Sequence, residues 1–146
     1  MECLNRLRDH LVQVPSRLTA MPAAELTRKA PGTWSRKEIL GHLIDSAVNN
    51  LKRFTDAQFA ETPYPIQRYS QDQLVIVNTY QNLPLDHLLS LWQTLNTQII
   101  YVAEAMPADT LARPIQLTSC DSANLTLQWL IEDYVAHLEH HLNTLL

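Results

Sequence analysis

His137 and His141 stand four positions apart in the closing segment Asp133-Tyr-Val-Ala-His-Leu-Glu-His-His-Leu, and His42 stands far away in Trp34-Ser-Arg-Lys-Glu-Ile-Leu-Gly-His-Leu-Ile-Asp45. On a helix, side chains at i and i+4 leave from one face with Cβ atoms about 5–6 Å apart, so two imidazoles can converge on one ion. A third imidazole from another helix would complete a three-histidine site with an open coordination position, the arrangement of catalytic rather than structural metals. Such an ion can hold a thiol as thiolate, or draw the pKa of a water towards neutrality. Spacing alone leaves a second reading, a half-solvated histidine pair at a helix end.

The elements that would position these residues are helical. Only two glycines occur, Gly32 and Gly41, and apolar residues recur at helical rather than alternating spacing. The first helix is expected from Glu2 to Ala20, with Leu4, Leu7, Leu11, Val14 and Leu18 inward and Pro15 as a place to bend. The second starts at Ser35, where Glu38 completes a capping box and Trp34 is placed to staple against Ile39. Its inner stripe reads Leu40, Leu43, Ile44, Ala47, Leu51 and Phe54, and it fades near Glu61-Thr-Pro-Tyr-Pro65. A short helix over Asp72–Tyr80 and a longer one over Pro84–Ala105 follow, the latter with Leu88, Leu91, Trp92, Leu95, Ile99 and Val102 inward and Pro84 suited to its first turn. Pro107–Asn124 reads as an irregular loop. The last helix runs from Leu125 to the end, with Leu127, Leu130, Ile131, Tyr134, Leu138, His141, Leu142 and Leu145 inward. The fold class is all-α, one domain over 1–146 built as a four-helix bundle.

Levels along the helices agree with a shared site. At 1.5 Å per residue His42 lies roughly 10 Å from the start of the second helix, and His137 and His141 roughly 7–14 Å from the end of the last. Antiparallel packing brings the three imidazoles to one height. Asp133 precedes His137 by one turn and Asp45 follows His42 by one turn, so each is a candidate to orient an imidazole through its second nitrogen or to handle a proton. The other reading of each is a solvated helix-face carboxylate paired with nearby cations. Asn49 continues the Asp45 row as a candidate substrate contact. His140 points further towards solvent, and His10 and His87, without partners at ligand spacing, take surface or boundary roles.

Composition narrows the rest. The 146 residues are 46% hydrophobic, enough for one buried core, and the net charge of −4 with scattered basic residues gives no stripe for nucleic acid. The amino terminus lacks the apolar core of a secretory signal, and no segment is long and apolar enough to span a bilayer. The protein is expected to be soluble and cytoplasmic, with Cys3 and Cys120 as reduced thiols.

The segments Trp34-Ser-Arg-Lys-Glu-Ile-Leu-Gly-His-Leu-Ile-Asp-Ser46, Arg68-Tyr-Ser-Gln-Asp-Gln-Leu-Val75 and Trp129-Leu-Ile-Glu-Asp-Tyr-Val-Ala-His-Leu-Glu-His-His-Leu142 resemble the DinB/YfiT-like family of metalloenzymes. The resemblance spans nearly the whole chain. It implies a bundle running up-down-down-up with a long crossover between the second and third main helices, usually a homodimer. It also implies a divalent metal such as zinc or nickel on His42, His137 and His141. Characterised relatives include thiol S-transferases using bacillithiol or mycothiol and a mycothiol-dependent isomerase. The expected activity is therefore transfer of a low-molecular-weight thiol, as cosubstrate, to an electrophilic small molecule. Hydrolysis by metal-activated water and non-catalytic binding of a metal or small molecule are the alternatives. The proline-rich stretch Glu61–Gln71 is long enough, at about 3.3 Å per residue, to return the chain along the second helix. Tyr64, Arg68 and Tyr69 would then line the substrate pocket, or simply cover the core.

Overall fold

Ser35 begins the helix that carries His42. Its hydroxyl accepts from the Glu38 amide at 3.2 Å, while the Glu38 carboxylate accepts from the Ser35 amide at 2.8 Å. Two backbone donors that no helical turn could satisfy are thereby paired. Lys29 Nζ donates to both Glu38 oxygens at 2.6 and 2.8 Å. Burial opposes the Glu38 charge, yet Lys29 and the Ser35 amide outweigh it and hold the carboxyl below its ordinary range. Ser35 also bonds the Gln81 side chain. Ser35→Ala is expected to cost about 1 kcal/mol from the lost cap, seen as a lower urea midpoint at unchanged m-value. An unshifted midpoint would show that the box is ornamental.

The structure is a computed structural model and describes residues 1–118 and 124–146. Four long helices form the bundle: α1 (Glu2–Thr19), α3 (Arg36–Asp56), α5 (Leu85–Glu104) and α7 (Leu127–Leu145). Between them lie α2 (Ala23–Thr27), β1 (Tyr64–Ile66), α4 (Gln71–Val77), a 3-10 turn at Tyr80–Asn82, α6 (Ala108–Leu111) and β2 (Ile115–Leu117).

Side-chain bonds fix the helix directions. Arg36 at the start of α3 reaches the Leu145 carbonyl at the end of α7, so these two run antiparallel. Arg6 pairs with Glu139 and Arg17 with the Leu146 carbonyl, so α1 and α7 run the same way. Arg8 meets Glu104 while Gln93 reaches the Leu11 carbonyl, which sets α5 against α1. The connection after α3 climbs back along it, touching Arg53 through Gln67, Asp45 through Asn78 and Tyr80, and Ser35 through Gln81.

Each main helix buries the stripe its spacing dictates. Leu4, Leu7, Val14 and Leu18 of α1, Leu40, Leu43, Ile44, Ala47 and Phe54 of α3, and Leu88, Trp92 and Ile99 of α5 meet Leu127, Ile131, Leu138 and Leu145 of α7 in one core. Leu91 departs from expectation: at 37% exposed it lies on the outer edge of α5. Pro84 caps α5 from outside its first turn. The start of α7 falls later than Leu125, because Thr126 accepts from the Trp129 amide and so fixes Leu127 as the first helical residue.

The connections carry more order than expected. The stretch read as irregular from Pro107 contains α6 and β2, and β2 pairs in parallel with β1, Tyr64 opposite Ile115 and Ile66 opposite Leu117. The helix expected over Asp72–Tyr80 ends at Val77, since Thr79 takes a left-handed conformation (φ 53°) that breaks it before the 3-10 turn. Cys3 is a buried free thiol; Cys120 lies outside the described residues. Among the described residues no helix is long and apolar enough to cross a membrane.

Candidate metal centre and adjoining cleft

Antiparallel packing of α3 and α7 sets His42 opposite His137 and His141. His42 Nε2 lies 3.2 Å from His137 Nε2, and one ring nitrogen from each of the three histidines falls within 4.8 Å of the others. Ring centroids are 4.6 Å apart for His42 and His141 and for His137 and His141. Two nitrogens bound tetrahedrally at about 2.0–2.1 Å from zinc stand roughly 3.3 Å apart, so the 3.2 Å separation fits two vertices around one ion. The donor chemistry fits as well.

Burial, reinforced by His141 and His137, pulls the His42 pKa down from 6.5 to about 4. Burial also lowers His137 and His141, against the raising effect of Asp133 on His137. All three imidazoles are therefore neutral at pH 7, with lone pairs free to ligate. The folded His42 binds its proton more weakly than the unfolded one. Its stabilising contribution is thus complete above pH 6.5 and is lost as pH falls towards 4. Metal-free protein should lose on the order of 3 kcal/mol through that window from this group. Urea unfolding in EDTA at pH 7 and pH 4.5 tests this: His42→Gln should flatten the dependence, and equal slopes in parent and variant would refute the assignment.

Trp34 packs on the outer face of the site, its ring 5.0 Å from the His42 ring at 34°. His42 is fully buried and its Nδ1 has no partner among the described residues. A ligating imidazole usually donates through its second nitrogen, and neither expected carboxylate takes that role here. Asp45 accepts at Oδ1 from the Tyr80 hydroxyl at 2.6 Å and Asn78 Nδ2 at 3.1 Å. Burial raises its pKa despite those bonds, and the buried Oδ2 has no partner among the described residues. Asp133 is exposed and acts on His137 only through its charge.

A cleft of about 400 Å³ opens beside His137. Ser46, Asn50 and Arg53 line it from α3, and Leu130, Asp133, Tyr134 and His137 from α7. The return segment adds Ile66, Arg68, Tyr69 and Gln71, and β2 adds Leu117. Of the residues expected to form a pocket, Arg68 and Tyr69 therefore lie in it. Asn49 lies outside the lining residues and donates to the Asp45 carbonyl at 2.8 Å, and Tyr64 lies outside them in β1. Of the α3 residues that sequence reasoning missed, Ser46 and Asn50 continue the row from His42 at i+4 spacing. Polar residues repeating on a helix's buried side were the available signal. His140 and His87 are exposed, and His10 bonds Glu139 at 3.1 Å.

These features define a helical bundle with a histidine cluster between two antiparallel helices, and the chain belongs to the DinB superfamily, whose family profile matches residues 6–145. Its fold is similar to that of YfiT from Bacillus subtilis, described as a probable metal-dependent hydrolase with an unusual four-helix bundle topology. That match has a TM-score of 0.86 at 20% identity and covers 99% of this chain and 82% of YfiT. No match was found among curated proteins.

Proposed function

We propose that this chain is a divalent-metal-dependent enzyme that hydrolyses a small molecule seated in the cleft between α3, α7 and the return segment. The observation that carries the reading is the convergence of His42, His137 and His141, all neutral at pH 7, at a cluster whose His137 opens onto that cleft. Three neutral ligands would hold zinc or nickel and leave a position for water or substrate, and a bound ion would supply Lewis acidity there. The description of YfiT as a probable metal-dependent hydrolase supports hydrolysis as the reaction class.

The chain's own groups have defined tasks in this reading. Tyr69 and Asn50 offer hydrogen bonds to a bound substrate, Leu130 and Ile66 supply apolar contact, and Trp34 keeps bulk water from the His42 face. Asp133, one turn from His137 at the cleft rim, is the carboxylate placed to accept a proton. Transfer of a low-molecular-weight thiol is the second reading. It is favoured by the neutral donor set, which leaves an ion its full charge for a thiolate. A cytoplasmic homodimer acting without nucleic acid or membrane completes the proposal.

Elemental analysis after exposure to limiting zinc and nickel, followed by desalting, comes first. Near-stoichiometric metal is expected, together with ester or amide hydrolysis that EDTA abolishes. Turnover only with an added thiol would select thiol transfer instead, and folded protein that retains no metal would end both readings.

A further inference from the structure

The cleft is polarised along its length. Arg53 lies 11 residues beyond His42 on α3, about 16 Å along the axis at the helical rise. Its guanidinium stands 5.5 Å over the Tyr69 ring, donates through Nη1 to Asn50 Oδ1 at 3.3 Å, and donates through Nη2 to the Gln67 carbonyl. Those bonds leave donors over, since a guanidinium carries five N–H groups. Among the described residues neither Arg53 nor Arg68 makes an ion pair, although both line the cleft.

A half-buried cation without a counter-charge is costly, and folded proteins keep one where something else supplies the charge. Burial lowers the Arg53 pKa, a sign of that cost. The carboxylate in the cleft lining, Asp133, belongs to the other end, one turn from His137. Ile66, Leu117 and Leu130 supply apolar wall to the same cleft.

We infer that the cleft takes an elongated small molecule with an oxyanion tail, a carboxylate or phosphate held by Arg53 and Arg68, an apolar middle, and its reacting bond at the histidine end. The inference rests on the proposed function for what happens at that end, but the tail site is separable from it. Arg68 lines the cleft from the return segment and Arg53 from α3, so two guanidiniums on different elements are available to one oxyanion.

The test is calorimetric titration of EDTA-treated protein with octanoate, octyl phosphate and octanamide, which share a chain and differ in headgroup charge. Removing metal matters, because an oxyanion would otherwise also bind the ion. Octanoate or octyl phosphate, or both, should bind at least tenfold tighter than octanamide, and whichever does so identifies the tail. Arg53→Gln also removes the bond to the Gln67 carbonyl that tethers the return segment, so Arg68→Gln, which disturbs no bond among the described residues, is the decisive variant. Its folded state is verified by circular dichroism, and it should reduce the anion preference severalfold. Equal binding of all three ligands, or a preference untouched in Arg68→Gln, would overturn the inference. Anion preference in a protein that never retains metal would refute the metalloenzyme reading and leave the tail site standing.

Discussion

His42→Ala is expected to lower zinc affinity by more than 100-fold, beyond the roughly 10–100-fold typical of losing an outer-shell partner, because it removes a ligand outright. Of the three imidazoles His42 is the one fully buried, fixed between Trp34 and the two α7 histidines. The fold should tolerate the change better than the site does. Truncation leaves a void but also removes a buried nitrogen that has no partner among the described residues, and the two effects oppose one another. His140→Ala is the control, because His140 is exposed and lies outside the cluster despite a ring centroid 5.5 Å from that of His141. Competition with a chromophoric chelator measures both. Comparable zinc affinity in His42→Ala and parent would mean that the cluster holds no ion.

Gly41→Ala is expected to destabilise the protein by about 2–3 kcal/mol through overpacking, with Tm lower by about 5–10 °C. A Cβ at this position would lie 2.1 Å from Cδ2 and 2.2 Å from Cγ of Tyr80. The Tyr80 ring is buried at 5% exposure and its hydroxyl is committed to Asp45 at 2.6 Å. To make room it must abandon that bond and leave a buried carboxyl with only Asn78. Tyr80→Ala removes the obstacle, so the double substitution should cost clearly less than the two single ones summed. Additive losses in thermal melts would show that Tyr80 is not what Gly41 accommodates.

What could be read in the sequence follows from how local each feature is. The α3 start was legible because Ser35 and Glu38 satisfy each other within one turn, and the main helices because their apolar residues repeat within a few positions. The level match of His42 with His137 and His141 needed only helix rise and an antiparallel pair. The surroundings of Asp45 were not legible, since Asn78 and Tyr80 come from a connection whose path depends on a left-handed Thr79 and on close approach to Gly41. Nor were β1 and β2, because three-residue strands show no alternation and their partners are remote in sequence. The cleft residues on α3 were half visible. Following the Asp45 row led to Asn49, whereas the row one turn and two turns on from His42 reaches the cleft at Ser46 and Asn50.

The short parallel pairing places Ile66 and Leu117, partners in register, on the same cleft wall. Labour is thereby divided between two kinds of chain. The histidines sit on long helices whose burial penalises almost any change, while one wall of the cleft comes from two paired connections, whose exposed positions admit changes of residue type more readily than the helices do. Rewriting those exposed positions would reshape the cleft while the three-histidine cluster stayed in place.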